Sequence, residues 1–175
     1  ADYTSAQEHE QSRRMAALQA RALSQAGWCV VQVDLLGCGD SSGEFGDATW
    51  SDWVQDVVEV GRWAGAQGGG PLMLWGLRAG CLVAAEASRA LDDAARLVFW
   101  QPATSGKTVL QQFLRLGLAA EIQGSGARGV AEGLRARLDR GQAVEVAGYT
   151  LSSALAWSLE RAVLEPPPSP RAVAW

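Results

Sequence analysis

A glycine-bracketed turn, Gly76-Leu77-Arg78-Ala79-Gly80, joins a short apolar run at residues 72–75 directly to an alanine-rich stretch at 81–91. The run has the length of a buried strand, and the stretch beyond the turn carries helix formers. With only five residues between them, the strand and helix backbones must pass close together, which favours glycine on either side of the turn. A strand that feeds straight into a helix is the repeating unit of a parallel sheet.

The flanking sequence has the same grammar. Residues 12–26 read as a helix with Met15, Leu18 and Ala22 on one face and Arg13, Arg14 and Arg21 outside it, stopped by Gly27. Residues 28–34, rich in β-branched side chains, read as a strand buried on both faces, and 35–46 as a glycine-rich loop. Thr49 with Asp52 forms a box-like cap for a helix to about Ala66, whose apolar stripe carries Trp50, Trp53, Val54, Val57, Val58 and Gly61. A turn at 68–71 leads to the strand at 72–75, and a third strand at 96–100 ends at Gln101-Pro102. The fold class is therefore α/β, a parallel β-sheet with helices on both faces.

Beyond Pro102 the pattern changes. Residues 108–122 read as a helix with Val109, Phe113, Leu116 and Ala120 on one side, placed either to cover an acyl or lipid-like ligand or to pack on the sheet. A Gly/Ser stretch at 124–129 precedes a charged helix at 130–140. Residues 143–151 alternate like an exposed strand or hairpin arm, and Ser152 caps a last helix to about Leu164. The proline-rich 165–170 is a stiff linker, and 171–175 is the start of a further strand. This divides the chain into a sheet core (12–102), a cap-like helical insertion (103–165) and a linker with the start of a strand (166–175).

Two motifs locate the chemistry. The 76–80 turn has the form of a nucleophile elbow, G-x-S-x-G, with arginine at the centre. The segment Asp34-Leu-Leu-Gly37-Cys38-Gly39-Asp40-Ser41 resembles the D-x-x-G-x-G-x-S loop after the fourth strand of α/β-hydrolases, and the interval to the elbow also fits that fold. Together with residues 12–23, Asp47-Ala-Thr-Trp50, Leu74-Trp-Gly-Leu-Arg-Ala-Gly80, Trp100-Gln-Pro102 and Val144-Glu-Val-Ala-Gly-Tyr149, these motifs look like the second type of exosortase A system-associated hydrolase, a family of exopolysaccharide-producing bacteria. The resemblance implies the central part of an α/β-hydrolase fold. It also implies a single incomplete domain over 1–175, with the oxyanion loop, acid and histidine lying beyond the two ends. Open sheet edges would then call for a partner chain or self-association.

The elbow residue decides the chemistry available. A guanidinium stays protonated, so it neither attacks an ester nor leaves an acyl-enzyme. Arg78, with its neighbours Leu77 and the Ala79 N–H at a helix start, instead suits an anionic ligand such as a carboxylate or phosphate. The alternative is an ion pair from Arg78 to Asp34 or Asp40. No catalytic residue is assigned. The single histidine, His9, precedes the first helix and reads as a surface residue, while Asp47, Asp52 and Asp56 read as helix-start and surface acids. Cys81 reads as a packing thiol, Cys38 as a loop thiol without a base, and the three cysteines, Cys29 included, lack metal-ligand spacing. No metal or cofactor is implied.

The length of 175 residues with 48% hydrophobic residues suits one domain, and a net charge of -4 gives no reason to expect nucleic acid. There is no apolar run of the roughly 20 residues a membrane span needs and no signal-peptide pattern. Free thiols then point to the cytoplasm. Two functions remain open: a hydrolase of an ester or thioester, and a non-catalytic relative that binds an anionic or acylated ligand or a protein partner.

Overall fold

The computed structural model describes residues 4–67, 70–91, 96–122, 130–165 and 173–174. The chain forms two compact units, Ala1–Val33 and Asp34–Trp175. In the first, helix α1 (Thr4–Gln25) ends in a glycine-terminated cap: Gly27 takes φ 91°, and the Trp28 N–H donates to the Leu23 carbonyl at 3.1 Å. His9 therefore lies inside the helix, not before it. The face expected to be buried is exposed, with Met15 at 49% and Leu18 at 47%, because nothing else in this unit covers it.

Residues 28–33 depart further from expectation. They pair with no strand among the described residues, and Trp28, Val30, Val31 and Val33 are exposed. High β-propensity marks a segment that fits a sheet, but a ladder needs a neighbour to supply its hydrogen bonds.

The second unit carries the sheet. Helix α2 (Trp50–Gln67) is followed by strand β1 (Met73–Leu77), helix α3 (Gly80–Ala87) and strand β2 (Arg96–Trp100). β1 and β2 pair in parallel from Met73↔Arg96 to Leu77↔Trp100. β2 pairs in parallel with a further short strand at Val173–Ala174, in the region where a strand start was expected. The α2 start behaves as its sequence suggests. The Thr49 N–H donates to Asp52 Oδ2 at 2.8 Å, and the Asp52 N–H donates to Thr49 Oγ1 at 3.2 Å.

Helices cover one face of the sheet within this unit. Leu74, Leu97 and Phe99 pack with Val58 of α2 and with Cys81, Ala84, Ala85 and Ala87 of α3. Met73, Leu77, Val98 and Trp100 on the opposite face are only half-buried, and Trp75 is exposed. The run at 72–75, expected to be a buried strand, thus alternates instead, as does 96–100. A continuous apolar run does not reveal that only one of its faces is covered.

The region after Pro102 is a helical layer whose core also takes in Trp50 of α2 and Leu82 and Val83 of α3. Helix α4 (Gly106–Ile122) contacts helix α5 (Val130–Asp139), a hairpin of β3 (Val144–Val146) and β4 (Tyr149–Leu151), and helix α6 (Ser153–Arg161). Its buried residues are Gly106, Leu110, Leu114 and Gly117; of the face expected to point inward, Val109 and Phe113 are half-buried against that core, whereas Leu116 is exposed. A Cβ on Gly117 would stand 3.2 Å from Val146 and 3.3 Å from Leu134. Bare backbone there lets helix and hairpin approach closely, a contact that hydrophobic periodicity overlooks.

The 143–151 region is likewise a hairpin with buried Val144, Val146 and Leu151, not an exposed arm. Its turn places Ala147 (φ 51°) and Gly148 (φ 84°) in the left-handed region, as a two-residue hairpin turn requires. The Ser152 cap forms, accepting from the Leu155 N–H at 3.3 Å. Residues 124–129 and 166–170 lie outside the described residues.

Hydrogen bonds from the Thr49 side chain and backbone hold the Asp52 carboxyl below its ordinary value. A carboxyl with a depressed folded pKa adds stability above its unfolded pKa and loses that contribution as pH falls through the folded value. Acid titration of thermal stability should therefore fall more steeply below about pH 4 for the native chain than for Asp52→Asn. Parallel curves would show that the cap contributes nothing to the acid limb.

Candidate functional site

The elbow is built from backbone. Arg78 follows the last residue of β1 in the left-handed region, φ 51°, where a non-glycine residue costs about 1–2 kcal/mol. Surrounding hydrogen bonds hold it there. The Arg78 N–H donates to the Trp100 carbonyl at 3.0 Å, and the Arg78 carbonyl accepts from Ala103 N–H at 3.1 Å and Cys81 N–H at 3.2 Å. A Cβ on Gly76 would stand 2.6 Å from Cys81 Cα and 2.7 Å from Gly80 O, all backbone, so this position needs glycine. Gly80 differs from expectation: a Cβ there would meet nothing within 4 Å. Only the first glycine of the turn is sterically required.

Leu77, Arg78 and Ala79 thus stand at the carboxyl end of β1, Leu77 and Ala79 half-buried and Arg78 exposed. The N–H groups of Ala79 and Gly80 find no acceptor among the described residues, as befits a helix start. The Arg78 guanidinium makes no ion pair or hydrogen bond with any described residue. The pairing with Asp34 or Asp40 considered from the sequence is not formed. Asp34 instead accepts the Asp40 N–H at 3.1 Å and folds its own loop. Its carboxylate fills the space a side chain at Gly39 (φ 58°) would need. A cation and two N–H groups without partners among the described residues, set at a strand end, can hold an oxyanion.

The glycine loop is tied to α2 by two contacts. The Leu36 N–H donates to Asp56 Oδ2 at 2.8 Å, and Trp53 Nε1 donates to the Leu36 carbonyl at 3.0 Å. Asp56 is thereby a half-buried anchor and not the surface acid expected. An acidic residue flanked by the apolar stripe, with Trp53 three positions before it and Val57 beside it, was the available signal. Glu86 is a similar case, accepting from Trp50 Nε1 at 2.7 Å and fastening α2 to α3.

The thiols are poorly suited to attack. Burial pushes the Cys38 thiol up, and the nearby Asp34 and Asp56 carboxylates push it further. Burial also raises Cys81, whose Sγ faces the Trp100 carbonyl at 3.9 Å. Both sites disfavour the thiolate on which nucleophilicity depends. Among the described residues no group of three or more His, Cys, Asp and Glu side chains is arranged to hold a metal ion. No described helix is long and apolar enough to cross a membrane.

Sequence reasoning passed over Gln101. It follows β2 as Arg78 follows β1, and it also takes a left-handed φ, 46°. The signal was present: Gln101 precedes Pro102, which biases a residue toward extended backbone, so a departure there is conspicuous once geometry is known.

A strand–elbow–helix unit of this form, with a parallel neighbour and a glycine loop, places the protein in the α/β-hydrolase superfamily. More narrowly, the chain belongs to the family described as serine aminopeptidase, S33, which matches residues 8–134. No curated protein matches the chain closely enough to count as a relative.

The two elbow glycines should respond oppositely to alanine. Gly76→Ala forces backbone apart and should cost at least about 2–3 kcal/mol in urea denaturation. Gly80→Ala should be neutral or raise stability by about 0.5–1 kcal/mol, since it removes a glycine from a helix.

Proposed function

We propose that this member of the hydrolase family uses its elbow to bind an oxyanion, the carboxylate or phosphate of an anionic or acylated ligand, and does not use it for covalent catalysis. The observation that carries this reading is the Arg78 guanidinium, held at the carboxyl end of β1 with no partner among the described residues. Ligands of open parallel sheets gather at that end. A guanidinium has no lone pair to attack with at neutral pH, and the chain's single histidine lies in α1, in the other unit. On the likeness to exosortase-associated hydrolases, we take the ligand to come from exopolysaccharide or protein-sorting metabolism and read 103–165 as a cap-like insertion over the site.

The second reading, hydrolysis of an ester or thioester, is favoured by membership of a hydrolase family, and fold alone does not establish chemistry. It requires a nucleophile other than residue 78.

Titration with inorganic phosphate and acetate tests the first reading. Arg78→Ala should weaken oxyanion binding by about 10- to 100-fold, the range for a charge-assisted hydrogen-bond pair. Equal affinity in the two proteins would remove the reading. A panel of short-chain p-nitrophenyl esters and acyl-thioesters tests the second. Neither the native chain nor Arg78→Ser is expected to turn them over, and turnover that survives Arg78→Ala would establish a nucleophile elsewhere.

A further inference from the structure

Among the described residues, three that are not glycine have left-handed backbone: Arg78, Gln101 and Ala147. Ala147 is explained by its hairpin turn. The other two occupy equivalent places, each following the last residue of one of two adjacent parallel strands whose final register is Leu77↔Trp100. Two hydrogen bonds fix them against each other. The Trp100 carbonyl accepts from Arg78 N–H at 3.0 Å, and Ala103 N–H donates to the Arg78 carbonyl at 3.1 Å. Gln101 lies between these two anchors, so its position is set by the peptide of Arg78.

No turn type demands a long polar side chain at this position, and the following proline opposes the conformation. Glycine would be the unstrained choice, yet a glutamine is present. Its side chain is exposed and makes no hydrogen bond among the described residues. Strain of this kind at a strand end, with a free polar group attached, is characteristic of residues that position a ligand.

We propose that Gln101 is a second ligand-binding residue. Its carboxamide donates to one oxygen of the oxyanion whose charge is met by Arg78. The inference rests on the anion-binding reading of Arg78 and extends it, since a guanidinium alone attracts any anion, whereas a guanidinium and an amide carried on backbones fixed against each other favour oxyanions with two accessible oxygens.

Isothermal titration with inorganic phosphate and with acetate, paired with thermal melting, tests the assignment. Gln101→Gly relieves the left-handed backbone and removes the amide. It should raise the melting temperature while weakening phosphate and acetate about three- to tenfold, the loss of one neutral hydrogen bond. Gln101→Glu keeps the shape, sets a negative charge beside the ligand, and should weaken both anions more than Gln101→Gly does. Gln101→Gly with native affinity and raised melting temperature would overturn the assignment and leave Arg78 standing, provided Arg78→Ala still loses affinity. Gln101→Glu with native affinity would overturn it equally. If Arg78→Ala binds as the native protein does, the reading beneath fails and Gln101 falls with it.

Discussion

The second unit depends on one close contact, the passage of the Gly76 backbone against Cys81 and Gly80. With no side chain in the way, β1 turns into α3 within two residues and the helix lies back on the strand it has just left. The remaining features of the elbow follow. Residue 78 is forced into left-handed backbone, its carbonyl is turned to accept from Ala103 and Cys81, and its side chain is directed away from the packed turn. The identity of that side chain is the one element the geometry does not dictate. A serine there would present a nucleophile; the arginine presents a charge. The same scaffold thus serves a chemistry set by a single substitution at a position whose backbone cannot change.

Much of this was legible in the sequence because it follows from local chemistry. The Thr49–Asp52 cap, the Ser152 cap, the strand at 96–100 and the strand–turn–helix at the elbow each depend on residues a few positions apart. Features that depend on distant partners were not legible. The 28–33 segment has strand composition and no pairing partner among the described residues, and composition is silent on neighbours. The inward face of α4 was read only in part, because Gly106 and Gly117, which carry no hydrophobic weight, are buried in close contacts. Asp56 read as a surface acid until its donor, a loop N–H, was brought to it by the fold, and the Trp50–Glu86 bond across α2 and α3 had no local signal.

The site divides along the same line. Arg78 was conspicuous because it stands where a recognisable motif expects serine. Gln101 was not, since its role depends on strand register: only when β1 and β2 are paired do two residues 23 positions apart become neighbours at one sheet edge. That Arg78 pairs with no acid among the described residues was likewise a matter of geometry, which motif and spacing do not carry.

Helix α3 has a consequence for how this unit comes apart. Cys81, Ala84, Ala85 and Ala87 belong to the cluster on the sheet, while Leu82 and Val83 belong to the cluster under α4, α5 and α6. A helix that serves as wall to two cores cannot be withdrawn from one without opening the other. Sheet and helical layer are therefore tied into one cooperative block, and the late-folding, easily opened parts of the unit are to be sought in its surface loops. The elbow sits at the first turn of that shared helix, so it inherits the stability of both cores at once.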